Sequence, residues 1–178
     1  MKARKTRRAT MLGDISLELQ RVLASQNTGG FERYYHDPVG FCRDVLGFDP
    51  WSRQREVLTT LDGHDAVTCP AGRAVGKSRL GAGAALWFAA TRGANSRVIL
   101  TAPGYRQIQL ILWEEIKNLW RASAVPFRGD CGKMASTGIR FASGAQIIGF
   151  TAEDPVSFQG VRAPEMLVIA DEASGIPD

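Results

Sequence analysis

Histidine and cysteine are scarce in this sequence. Of 178 residues two are histidines, His36 and His64, and three are cysteines, Cys42, Cys69 and Cys131. No CxxC pair occurs and neither histidine stands at ligand spacing from a cysteine, so a structural zinc site lacks its usual donors. Three widely spaced thiols make no disulfide framework either, and they read as buried thiols of a protein from a reducing compartment. Acidic residues are absent from the first ten positions, where Lys2, Arg4, Lys5, Arg7 and Arg8 stand unopposed. No apolar run follows that cluster, which excludes a secretory signal. Long hydrophobic runs are missing too. The longest low-polarity stretch, "LGAGAALWFAA" at 80–90, has 11 residues, against the roughly 20 a membrane helix requires.

A hydrophobic fraction of 44% and a charged fraction of 22% are those of a globular chain and exclude global disorder. The length suits one core. Residues 1–13 read as a basic tail and 14–178 as one domain, with 14–49 as a helical lead-in. The net charge of +4 is concentrated in the tail; beyond it 17 basic residues face 18 acidic ones. The body is neutral, and the tail is either a solvated terminus or an arm for a phosphate backbone.

Residues 14–30 carry Ile15, Leu19, Val22 and Leu23 on one helical face, with Gly29 and Gly30 to end the helix. Pro38, Gly40, Gly47 and Pro50 break the aromatic stretch 31–50 into short helical turns. Trp51, Val57, Leu58 and Leu61 predict a short helix closed by Gly63. The run 66–69 predicts a buried strand, 77–92 a helix ending at Gly93, and 98–101 a second strand. An amphipathic helix follows over 105–120, with Ile108, Leu112 and Ile116 on its apolar face. Residues 139–149 predict a hairpin turning at 142–144. The uninterrupted apolar run 166–170 predicts a central parallel strand buried on both faces. This order makes an α/β fold with a mostly parallel sheet flanked by helices.

Two motifs carry chemistry. In "CPAGRAVGKSRL" the spacing of a nucleotide-phosphate loop is kept by Ala71, then Gly72, Arg73, Ala74 and Val75, then Gly76, Lys77 and Ser78; the one departure is Ala71 where glycine is usual. Backbone N–H groups of such a loop face the phosphates, Lys77 reaches the β- and γ-phosphates, and Ser78 ligates Mg²⁺. Ala71 is tolerated only with a negative φ. In "MLVIADEA" an apolar strand ends in Asp171 and Glu172, at the strand end where parallel sheets place their sites. Asp171 would bind Mg²⁺ through its water shell and Glu172 would polarise the attacking water. The alternative is a plain turn and an ordinary strand end with solvated acids.

These residues resemble the N-terminal ATPase domain of tailed-bacteriophage large terminases, the motors that pump viral DNA into a capsid. The likeness lies in "GRAVGKS", in "WSRQREVL" with Trp51 and Gln54, in "VILTAP" with Thr101, Ala102 and Pro103, and in "SFQGVRAPEMLVIADEA" with Gly160 and Arg162. It covers about residues 50–174. It implies a P-loop NTPase fold of the RecA-like (ASCE) kind, incomplete at the carboxyl end, with ATP and Mg²⁺ as cofactors and no nuclease domain. It implies that Arg73 is a phosphate-side arginine, that Gln54 reads the adenine edge, and that Arg162 is a candidate finger toward a neighbouring subunit. Trp51 is read as core packing, with stacking on the base as the alternative. The partners implied are double-stranded DNA, the portal protein, the small terminase subunit and further copies in a ring, in the cytoplasm of a bacterial host. Two other functions fit the same order of motifs: a helicase-like ATPase stimulated by nucleic acid, and a non-catalytic assembly or nucleic-acid-binding module.

Overall fold

A computed structural model describes residues 30–72, 74–104, 108–127, 129–130, 138–151 and 161–172. The helix expected at 14–30, and with it Arg73, Cys131 and Gly160, lie outside the described residues.

The stretch 31–50 is made of short helical pieces, as its broken pattern predicts. A 3-10 turn, Glu32–Tyr34, precedes helix α1, Pro38–Asp44. Asp37 starts α1 by accepting from the Gly40 N–H at 2.7 Å, and Pro38 supplies a first-turn residue with no N–H to satisfy. Helix α2, Ser52–Gly63, follows, and then α3, Lys77–Arg92, which ends at Gly93. Past strand β1, Ser96–Ala102, a π-helical turn, Ile108–Leu112, runs into α4, Trp113–Ala122. Ile108, Leu112, Ile116 and Leu119 are all buried, on the face their spacing predicts. The remaining strands are β2, Gly129–Asp130, β3, Gly138–Phe141, β4, Gln146–Thr151, and β5, Glu165–Ala170.

The sheet order is β2-β3-β4-β1-β5. Strands β4, β1 and β5 are parallel, whereas the β3–β4 hairpin and the β2–β3 pair are antiparallel. The sheet is therefore mixed rather than mostly parallel. Two further expectations change. Residues 66–69 form no strand; most of them are exposed and unpaired, since a four-residue run stopped by Pro70 has too few ladder positions to hold an edge. Strand β5, expected at the centre, lies at the edge, where Met166 is 44% and Val168 45% exposed. Its unbroken apolar run does not distinguish two covered faces from one.

Helices α3 and α4 lie on one face of the sheet, over Val98, Leu100, Ile147, Leu167 and Ile169. Gly149 lets the π-helical turn and α4 approach: a Cβ there would sit 2.8 Å from Ile108 Cγ2 and 3.0 Å from Trp113 Nε1. Trp87 anchors α3 on the lead-in, with 1% exposure and its indole N–H donating to the Tyr34 carbonyl at 2.7 Å. Trp87→Ala should therefore cost about 3–5 kcal/mol of stability, read from the midpoint of a denaturant titration at unchanged slope.

The direction of α3 matters most for function. Near its start, a Cβ on Gly81 would lie 3.6 Å from Ile169 Cγ2, late in β5. At its end, Arg92 Nε meets Glu165 Oε2 at 3.0 Å, where β5 begins. Helix and strand thus run antiparallel, and Lys77 stands at the carboxyl end of the parallel strands. The Arg92 end is firmly held. Its guanidinium lies 4.3, 4.4 and 4.2 Å from the ring centres of Tyr35, Trp87 and Phe88, and Tyr35 donates to the same Glu165 oxygen at 3.0 Å. Burial lowers the Arg92 pKa and raises that of Tyr35. The Glu165 carboxylate compensates the buried cation.

Candidate nucleotide-phosphate site

Three segments meet at the carboxyl end of the sheet: the start of α2, the loop 70–76, and the first turn of α3. They enclose a cavity of about 450 Å³ whose walls include Trp51, Gln54, Ala71, Gly72, Gly76 and Lys77. That volume is in the range of small-molecule sites. Val75 also lines it, whereas Ala74, Ser78, Asp171 and Glu172 do not.

The loop turns into α3 through Gly76, whose φ is +82°. Glycine suits this position because the backbone is left-handed, and an added Cβ would lie 2.8 Å from Gln54 Nε2, so that side chain would have to shift. The Gly76 carbonyl accepts the first helical bond from Leu80 N–H at 3.0 Å. Lys77 folds back over the loop, its ammonium donating to the Ala71 and Gly72 carbonyls, each at 3.0 Å. Ala71 is not among the described residues with positive φ, which satisfies the condition set by its Cβ. The left-handed position is Ala74, at φ 61°. A β-carbon there costs about 1–2 kcal/mol.

Asp171 continues β5, its N–H donating to the Thr101 carbonyl at 2.9 Å. That bond places it beside the last residues of β1. Glu172 follows with φ 52°, a second left-handed non-glycine residue, and its side chain is exposed. Among the described residues, Ser78 Oγ and the two carboxylates have no hydrogen-bond or ion-pair partner. No group of three or more His, Cys, Asp or Glu gathers anywhere among the described residues.

Other side chains differ from their expected surroundings. Trp51 is 48% exposed, so it does not pack in the core; it lines the cavity instead. Gln54 is buried, at 7% exposure, and faces the loop. Cys42 is buried, and burial pushes its thiol up to about 12, which keeps it protonated and unreactive. Cys69, expected to be buried, is exposed and lines the cavity. Arg162 is exposed just ahead of β5. Among the described residues, no helix is long and apolar enough to cross a membrane.

No family model matches the sequence, and no curated protein is significantly similar to it.

Proposed function

We propose that the chain is the ATP-hydrolysing part of a DNA-packaging motor, built as a P-loop ATPase of the phage large-terminase kind. One observation carries this reading: the first turn of α3, with Gly76, Lys77 and Ser78, lies at the same end of the sheet as Asp171 and Glu172. A triphosphate laid in the loop would meet the free N–H groups of that turn and the Lys77 ammonium. Ser78 and Asp171 would hold Mg²⁺, which when bound neutralises charge on the phosphate oxygens. Glu172 would take a proton from water as that water attacks the γ-phosphorus, and the bond to the β-phosphate oxygen would break to leave ADP and phosphate. Arg73, by resemblance, adds a cation on the γ-phosphate side. Trp51, which lines the cavity, would offer its ring to the base.

The basic tail supports a DNA partner, because unopposed lysines and arginines gain affinity by releasing counterions from the duplex. Phosphate release from ATP should rise when duplex DNA is added at low salt, with the Lys77→Ala chain as the blank. Hydrolysis no faster than that blank, with or without DNA, would sink the proposal. Stimulation by single strands but not by duplex would favour the helicase-like alternative.

A further inference from the structure

Gln54 is tied at both ends. Its Oε1 accepts from the Trp51 N–H at 3.2 Å, and its Nε2 donates to the Gly76 carbonyl at 3.2 Å. Only one orientation of the amide satisfies both contacts. The first bond caps α2, as a glutamine three residues past the helix start does. The second leaves the helix altogether and crosses to the end of the loop.

We propose that Gln54 is a positioning residue for the phosphate loop, acting on the triphosphate through Gly76 rather than on the adenine edge. The inference rests on the reading of this loop as a triphosphate site. The Gly76 oxygen accepts two bonds, from Gln54 Nε2 and from the Leu80 N–H, which uses both of its lone pairs and fixes the direction of the carbonyl. In a planar trans peptide the next N–H points the opposite way. Holding the Gly76 carbonyl therefore aims the Lys77 N–H, a first-turn donor with no partner inside the helix, toward the loop. The left-handed φ of Gly76 is the freedom this clamp removes. Trp51 is bound to the same glutamine through its own N–H, so the wall of the cavity and the phosphate loop share one link.

The test compares three ligands on the 178-residue chain: ATP, GTP and inorganic tripolyphosphate, which has no base. Gln54→Met keeps the length and the burial but removes both hydrogen bonds. It should weaken binding of all three by the same factor, about fivefold for the lost bond to the Gly76 carbonyl, and leave the ATP to GTP ratio unchanged. Trp51→Ala serves as the contrast, weakening both nucleotides and sparing tripolyphosphate. Thermal unfolding of each variant, followed by circular dichroism, shows that the chains compared are folded. A Gln54→Met chain that loses ATP affinity but binds tripolyphosphate normally would make Gln54 a reader of the base and overturn the proposal. Unchanged affinity for all three would overturn it as well. A wild-type chain that binds none of them removes the triphosphate site itself, and this inference with it.

Discussion

Lys77→Ala should abolish ATP turnover by the intact protein, with a fall on the order of 100- to 1,000-fold expected for the loss of one preorganised donor at a charged transition state. The argument starts from what the ammonium touches. Its two bonds, to the Ala71 and Gly72 carbonyls, hold a cation at the mouth of the loop by neutral acceptors. Bonds to phosphate oxygens are charge-assisted and roughly twice as strong, so a triphosphate would draw the ammonium over. Alanine removes that cation and leaves the two carbonyls facing an anion. Phosphate release under saturating ATP is the measurement, and turnover at the wild-type rate would count decisively against the site. Both bonds of the ammonium lie at the surface, so the melting temperature should move little.

Glu172→Gln should separate binding from hydrolysis. The change keeps the shape of the side chain and the backbone strain at φ 52°, and removes only the carboxylate that would accept the proton of the attacking water. Loss of a general base costs about 100- to 10,000-fold in rate, while nucleotide affinity should stay within about twofold because Glu172 does not line the cavity. Titration calorimetry gives the affinity and phosphate release gives the rate. A variant that both binds and hydrolyses normally would show that the acid after Asp171 is only a solvated strand end.

The helices were legible because their signals are local. Pro38, Gly40, Gly47 and Pro50 cut the stretch 31–50 into short helical turns, Gly63 and Gly93 mark ends, and the spacing of Ile108, Leu112 and Ile116 names the buried face of α4. The hairpin β3–β4 was equally plain in its alternation and its glycine turn. The strands misread are those whose status depends on a neighbour. An apolar run such as 166–170 has the same composition at the edge of a sheet as at its centre, and the run 66–69 has no partner to make it a strand. Spacing singles out the loop residues but says nothing of their internal contacts. Nothing in "GRAVGKS" says that Ala74 rather than Ala71 takes the left-handed turn, or that Lys77 bonds back to the loop. Gln54 shows the limit most clearly. Its place three residues into α2 announces a cap, yet its second bond spans 22 positions of sequence. The setting of Arg92 was likewise invisible, since it joins α3 to Tyr35 and to Glu165, both distant in sequence.

The bare flank of β5 has a practical side. Met166 and Val168 present oily groups to water on a strand whose outer N–H and C=O groups have no ladder partner among the described residues, and such a border invites other chains to stick. Concentrated solutions of these 178 residues should scatter light well before dilute ones do. Binding and turnover assays are therefore best run at low micromolar protein.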